Sequence, residues 1–553
     1  MTPTLDRRVG LWLVTAAWLI SAAFKLSWSY TIVFEYDVVP VVALGWQWLY
    51  AGGPFPVYGT LSSVAAYNLP GLVWLHLPAL MVTSSPWLAM VLTLLWFNML
   101  GTFAAYGLGR EIGGELGGVA AALIFTFSAS TFAAVSMSWA QLLLPTFFVG
   151  VGLCLFRWWR TGRGVWMLGA GLTALLAFMT HFSAVLLLPV MVVFWLLSGA
   201  VVRWRWLLLT AALALALLAP YMAFQAQRDF RDLQAFLTRR VPIPSEISED
   251  IRARVRQLVR EQSVDLPSPP SVSAPSSSEA PTVNEPQSRL ERFIRRLPYE
   301  IWVVASFQTQ FILGSFEAIA LLRLLLFATS AAALVIVARR VLRRQPRRTW
   351  WQGWAGSAVL LLTLPASLTV GMIVLRVYPA DNTTYLEGIQ GWLIALTGAA
   401  VGIVGQRWRR LRLPLLAAVI AMCALSAFNQ HQRLEARRSL QFPQAWYYTT
   451  LQTLAATIAE GVPRGGTVSV GYALWPQQRT FDWVPVWSLV DSRYRAGMAL
   501  DFVLLAEHGV TNLNQDPYGV AEDPQFIIKF AQDVRPDETP RLVVNGIALI
   551  DAQ

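Results

Sequence analysis

The chain has 553 residues, 56% of them hydrophobic and only 14% charged, with 25 Trp, 28 Phe and a formal net charge of +11. A water-soluble domain typically carries about 25% charged residues, so the composition excludes a soluble enzyme and indicates an integral membrane protein. Most of the positive charge sits in short loops between apolar runs, where it signals topology rather than a nucleic-acid partner.

About 20 residues of helix cross the roughly 30 Å hydrocarbon core of a bilayer. Apolar runs of that size predict about eleven spans, near 10–33, 86–107, 116–135, 139–157, 165–180, 182–200, 206–225, 318–338, 352–375, 387–405 and 413–428. Segment 301–317 is apolar but broken by Gln308 and Gln310, which suits the interface. Arginines fill alternate loops: Arg7 and Arg8; Arg110; Arg157, Arg160 and Arg163; Arg203 and Arg205; the run Arg339 to Arg348; and the run Arg407 to Arg412. The other short loops, 34–85, 136–138 and 376–386, contain Arg376 as their single positive charge. Positive loops stay cytoplasmic, so the expected protein is multi-pass in the cell membrane, with its N-terminus inside and its C-terminus outside. The first run lacks a small-residue cleavage site and reads as a retained span.

Three outer segments stand out. Loop 34–85 follows the first span. Segment 226–300 has a Pro/Ser-rich centre, 263–288, with too little apolar surface to fold. Its flanks "IRARVRQLVREQ" and "RLERFIRRLPYEIW" have the basic amphipathic spacing of surface helices. From 429 onward the composition is that of a soluble domain. "TVSVGYAL" and "RLVVNGIALIDA" alternate like strands, and "AWYYTTLQTLAATIAEG" has helical periodicity ending in Gly. The expected architecture is therefore an α-helical polytopic membrane domain, 1–430, followed by a small extracytoplasmic α/β domain, 431–553.

Chemistry has few places to sit. Cys154 and Cys423 fall inside separate spans, and the four histidines form no HExxH pattern, so no protein-built metal site is predicted. Glu35 and Asp37, in "VFEYDVVPV", are the last charged residues before Arg110. A solvated helix end explains such acids equally well. Against that stands the loop after them, "GWQWLYAGGPFPVYGTLSSVAAYNLPGLVWLHLPAL", which mixes Trp, Tyr, Gly and Pro with no charge. It suits a short interfacial helix and a compact loop folded back onto the membrane domain. An acid beside such a surface tends to have a raised pKa, as a general base for a hydroxyl needs.

The acids followed by "YAGGPFPVYGTLSSVAAYNLPGLVWLHLP" resemble the first outer loop of GT-C glycosyltransferases, nearest to bacterial protein O-mannosyltransferase-type proteins of glycosyltransferase family 39. The resemblance covers roughly residues 5–430. It implies a GT-C-like fold, a polyprenyl-phosphate sugar donor, a lipid, glycan or protein acceptor, and an acid of this loop as base. The eukaryotic enzymes carry an Asp-Glu pair here, whereas this chain has Glu-Tyr-Asp; spacing from the Gly-Pro loop favours Asp37 over Glu35. "LRVYPADNTTYLEGIQGW" resembles the late family motif of Arg and Tyr before a span, which implies that Arg376, Tyr378 and Tyr385 hold the donor phosphate. Arg376 also reads as a snorkelling cation, and the tyrosines as belt aromatics. His181, at the outer end of two spans, fits either a lipid-phosphate site or a plain interfacial turn. Tyr67 and Asn68, in "AYNLPG", fit sugar hydroxyls and turn chemistry alike. The leaving group is already a phosphoester anion, so the chemistry admits a divalent metal without requiring one. The competing reading is a transporter, lipid-linked glycan flippase or glycan ligase without this transfer chemistry.

Overall fold

The computed structural model describes residues 6–32, 39–60, 67–128, 131, 140–198, 200–230, 232, 387–438, 447–473, 499–512, 524–531, 534–545 and 547–551. Spans 318–338 and 352–375, segment 301–317 and tract 263–288 lie outside these residues. So do Glu35, Asp37, Arg376, Tyr378 and Tyr385.

Helix α1, Arg7–Ser27, starts where the Asp6 side chain accepts from the Arg8 amide at 3.2 Å. It stops short of the predicted residue 33. Ser27 and Ser29 turn their hydroxyls onto the carbonyls of Phe24 and Leu26, both at 2.7 Å, and a 3-10 turn takes over at Ser29–Thr31. Such local bonds compete with helix continuation, and hydropathy is blind to them.

Helix α4, Pro86–Phe127, contains the second predicted span and the third as far as Phe127. At Gly114 the backbone has φ 68° and ψ −169°, a conformation open to glycine, and the helix doubles back there. Small residues let its two arms touch. A Cβ on Gly109 would lie 2.6 Å from the Gly117 carbonyl oxygen, and the Thr102 and Thr126 hydroxyls bond at 2.9 Å. Helix α1 runs beside the second arm, with Gly10 against Glu115 and Ser21 Oγ donating to Thr126 O at 3.2 Å.

Helices α5 (Ala140–Thr161), α6 (Gly164–Thr180), α7 (Leu187–Ser198) and α8 (Trp204–Ala226) continue the bundle. Span 182–200 begins as a 3-10 turn, Phe182–Leu186, before α7. The central element is α9, Glu387–Arg407, whose most apolar stretch is 94% buried. Its glycines explain this position. A Cβ at Gly391 would meet Pro145 O at 2.0 Å, at Gly398 the Ala121 amide at 2.2 Å, and at Gly402 the Gly113 carbonyl at 2.1 Å. Apolar tails give helices in a membrane little reason to associate, so close backbone approach at small residues supplies the attraction. Helix α10, Arg412–Arg438, outlasts the predicted span 413–428 and runs unbroken past residue 430.

Two short helices, α2 (Val39–Tyr50) and α3 (Gly71–Val82), form the loop between α1 and α4. They cover one end of the bundle, called here the loop rim; the opposite end, with Arg110, Arg157 and Arg160, is the arginine rim. Indole and phenol groups tie the loop down: Trp46 Nε1 donates to Ser84 O at 3.0 Å, Trp74 Nε1 to Pro56 O at 2.8 Å, and the Tyr50 hydroxyl to Leu80 O.

The C-terminal region comprises α11 (Tyr448–Ala459) and six strands: β1 (Thr467–Val468), β2 (Val470–Ala473), β3 (Thr511–Asn512), β4 (Phe526–Phe530), β5 (Pro540–Val544) and β6 (Ile547–Asp551). Strands β1 and β3 pair in parallel; β2-β4-β6-β5 make a mixed four-stranded sheet. The β5–β6 hairpin turns at Asn545, φ 47°; exposure alternates along β5 as predicted, whereas the first four residues of β6 are all buried. This region docks on the loop rim through Tyr448, stacked on Trp87 at 6.4 Å, and Phe502, edge-on to Trp46 at 5.8 Å. Six of the described helices are long and apolar enough to cross a membrane. The protein is an α-helical polytopic membrane protein with a small C-terminal α/β region.

Candidate functional site

The loop rim gathers the described candidate residues. Glu35 and Asp37 are not among them, but the residues flanking their segment are: Ile32 and Val39, each 1% exposed. Ile32 lines a cavity of about 30 Å³ between α1, both arms of α4 and α5. Its polar lining is Lys25, Ser29, Asn98, Thr131 and Thr146; Val91, Leu94, Leu143 and Phe125 supply apolar wall.

Lys25 is 3% exposed and its Nζ donates to Thr126 O at 3.2 Å. Thr126 and Phe127 end the second arm of α4, where helix carbonyls lack intrahelical donors. Ser21, Lys25, Thr131 and Ser426 supply those donors to Thr126 and Phe127, and a cation suits this end of the helix dipole. Asn98, on the first arm, is 7% exposed, and neither amide atom has a hydrogen-bond partner. Leaving such a group unpaired costs on the order of 1–3 kcal/mol.

Asn68 closes the loop upon itself. Its carbonyl accepts from Gly59 N at 2.7 Å, its amide donates to Thr60 O at 2.8 Å, and Nδ2 donates to Thr60 Oγ1 at 3.2 Å. The turn chemistry of "AYNLPG" is thus realised. Tyr67 joins an aromatic cluster with Tyr58 and Phe224, at centroid distances of 4.9 and 5.7 Å, and its carbonyl accepts from Tyr221 Oη at 2.9 Å. The Arg228 guanidinium lies 4.6 Å from the Tyr67 ring and 5.1 Å from that of Phe224. It faces Asp232 at 3.8 Å. Sequence reading passed over Arg228, although Phe224 four residues earlier is a signal for a cation stacked on a ring.

His181 ends α6 and caps the next turn, Nδ1 accepting from the Ser183 amide at 3.1 Å with Ser183 Oγ 2.8 Å away. Burial pulls its pKa down to about 4, and the accepting Nδ1 fixes the neutral tautomer with its proton on Nε2. Gly71, at the start of α3, presses on the Met179 backbone, which sets the Tyr67–Asn68 turn beside this corner. His76, in the middle of α3, is 1% exposed; Nδ1 bonds Leu72 O at 2.9 Å, and Nε2 has no partner. Burial lowers its pKa to about 4 despite the opposing Leu72 bond. Among the described residues, no group of three or more His, Cys, Asp or Glu is placed to hold a metal ion.

No protein-family model and no curated protein matches the sequence. Solved structures do. The apo oligosaccharyltransferase of Archaeoglobus fulgidus is 14% identical over 83% of this chain, TM-score 0.44; this chain spans 59% of its length. AglB from Archaeoglobus fulgidus, in complex with an inhibitory peptide and a dolichol-phosphate, is 12% identical over 96% of this chain and 70% of its own, TM-score 0.45. ArnT from Cupriavidus metallidurans, bound to undecaprenyl phosphate, is 11% identical over 99% of this chain and 98% of its own, TM-score 0.42.

Proposed function

We propose that this protein transfers a sugar from a polyprenyl-phosphate donor to an acceptor hydroxyl at the loop rim, with inversion at the sugar C1. The observation that carries the reading is the junction at Ile32. Ile32, which precedes the acid-bearing segment in sequence, lines a partly polar cavity set among apolar helices, and Val39, which follows that segment, is buried. Asp37 takes the acceptor proton as the acceptor oxygen bonds to C1; the bond from C1 to the phosphate oxygen breaks, and the lipid phosphate leaves with its electrons. Glu35 supports Asp37 or replaces it. Arg376 offsets the charge developing on the phosphate, since a guanidinium matches phosphate oxygens in pairs, and Tyr378 and Tyr385 assist in holding the phosphate. A neutral His181 contributes through its Nε2–H, the nitrogen that the cap leaves available. Tyr67 and Asn68 hold the loop in shape and offer polar groups to sugar hydroxyls. The arginine rim is cytoplasmic and the C-terminal region lies outside.

Purified protein supplied with radiolabelled polyprenyl-phosphate hexoses tests this directly. Transfer by the wild type that is lost in Asp37→Asn supports the reading. Equal transfer by both overturns it.

A further inference from the structure

We propose that the corner of the arginine rim formed by Arg163, Arg203 and Arg205 binds the phosphate of an anionic phospholipid, of the phosphatidylglycerol type, in preference to a zwitterionic one.

The arginines of this rim fall into two groups. Arg110, Arg157 and Arg160 are spent on Glu115 and Glu111. Arg163, Arg203 and Arg205 are exposed, and no described acid pairs with them. The sequence around them supplies none, since no Asp or Glu occurs between Glu115 and Asp229. Packing gathers the three. Arg163 precedes Gly164, the first residue of α6, where a Cβ would collide with the Trp206 indole of α8. Trp206 directly follows Arg205, whose guanidinium carbon lies 6.0 Å from that ring. The link ahead of Arg203 is pinned to α5 by Trp158, whose Nε1 donates to Val201 O at 3.3 Å. Three cations are thereby held at one corner with no carboxylate to neutralise them.

A lipid supplies what the chain lacks. None of the most apolar stretch of α8 is buried inside the protein. Beside the arginines, Val201, Trp204 and Leu208 are 76%, 70% and 67% exposed. Acyl chains lying on α8 put their headgroups at its first residues, and an exposed indole such as Trp204 belongs at that level of the bilayer. A guanidinium there meets phosphate oxygens in pairs. The ammonium of a zwitterionic headgroup is repelled by the same arginines, whereas a glycerol headgroup leaves the phosphate charge unopposed. A soluble phosphate has no chain to cover the apolar face.

Photo-labelling of the full-length protein in nanodiscs tests this, and it needs no sugar transfer. The probes are phosphatidylglycerol and phosphatidylcholine carrying the same diazirine-bearing acyl chain, at equal mole fraction. The glycerol lipid is expected to label residues 158–166 and 201–209 in excess of the choline lipid by about five-fold, the effect of roughly one arginine near an anionic surface. High salt should shrink that excess. The triple variant Arg163→Gln, Arg203→Gln and Arg205→Gln should abolish it and keep the choline-lipid labelling. Arginines at this rim also favour correct insertion, so the wild-type comparison of the two lipids decides even where the variant inserts poorly. Equal labelling by the two lipids would overturn the proposal, as would an excess that persists in the inserted variant. Loss of the excess on adding inorganic phosphate at constant ionic strength would make the corner a seat for a soluble anion and would equally overturn it.

Discussion

The two rims of the bundle are held by different chemistry. At the arginine rim every described acid of the α4 turn is committed: Glu111 faces Arg157 at 3.3 Å and also Arg160, while Glu115 faces Arg110 at 2.9 Å and accepts from the Tyr106 hydroxyl. At the loop rim the work is done by neutral donors on backbone carbonyls, with Trp46, Trp74, Trp87 and Tyr50 in that role. An indole places one donor and a large apolar face together, which suits a boundary between hydrocarbon and water. In the proposed reading Glu35 and Asp37 serve the substrate, whereas the described acids at the arginine rim are committed to ion pairs.

The sharpest test of this contrast is to neutralise one acid on each rim. Asp37→Asn should reduce sugar transfer by about 10²–10⁴ and leave donor binding and thermal stability unchanged. A loss of stability in place of activity would make Asp37 another structural acid.

Acid should weaken the loop rim first. His76 is held neutral in the fold, with a pKa of about 4 against an ordinary 6.5. As pH falls below 6.5 the unfolded chain takes up a proton that the folded chain refuses until about 4. Stability is therefore full above pH 6.5 and is lost progressively between 6.5 and 4, by up to about 3 kcal/mol for this one group. The same direction holds for His181. Thermal unfolding measured across that range should show the slope in wild type and a shallower one in His76→Leu. Identical slopes would show that His76 is not the responsible group.

Next comes packing near the arginine rim. Gly402→Val puts a branched carbon where a Cβ already lies 2.1 Å from Gly113 O, and overpacking of this kind typically costs about 1–3 kcal/mol. A thermal shift of Gly402→Val close to zero would mean that α9 is not as tightly wedged as described.

The smallest effect belongs to Glu111→Gln. Its partners Arg157 and Arg160 are 31% and 59% exposed, and partly exposed pairs contribute about 1 kcal/mol or less. Transfer activity per folded molecule should be untouched. A large drop in that activity would break the division of labour between the rims.

Each of the nine predicted spans that reach into described residues overlaps a helix, and six of those helices are long and apolar enough to cross a membrane, because about 20 apolar residues must be enclosed by a bilayer whatever they pack against. The strand character of the C-terminal "RLVVNGIALIDA" was equally legible, since period-two alternation is a local property, though β6 is buried along four consecutive residues where alternation was expected. Element ends were less so. The first helix stops at Ser27 because two serines bond backward, and α10 continues to Arg438 through "NQHQRLEARR", which is too polar for a hydropathy scan yet suited to helix. The wedging of α9 was visible only as scattered glycines until their neighbours Pro145, Ala121 and Gly113 were known.

The site divides in the same way. The acids, the uncharged loop and the Tyr67–Asn68 turn stand out in sequence, because charge and turn chemistry are properties of single residues and their near neighbours. That Asn98 has no partner, that Lys25 caps another helix, that Arg228 lies over Tyr67 and that His181 spends Nδ1 on a cap are facts about distant residues brought together. Only the tertiary structure decided them: whether a buried polar group is satisfied depends on what packs against it, and no local pattern records that.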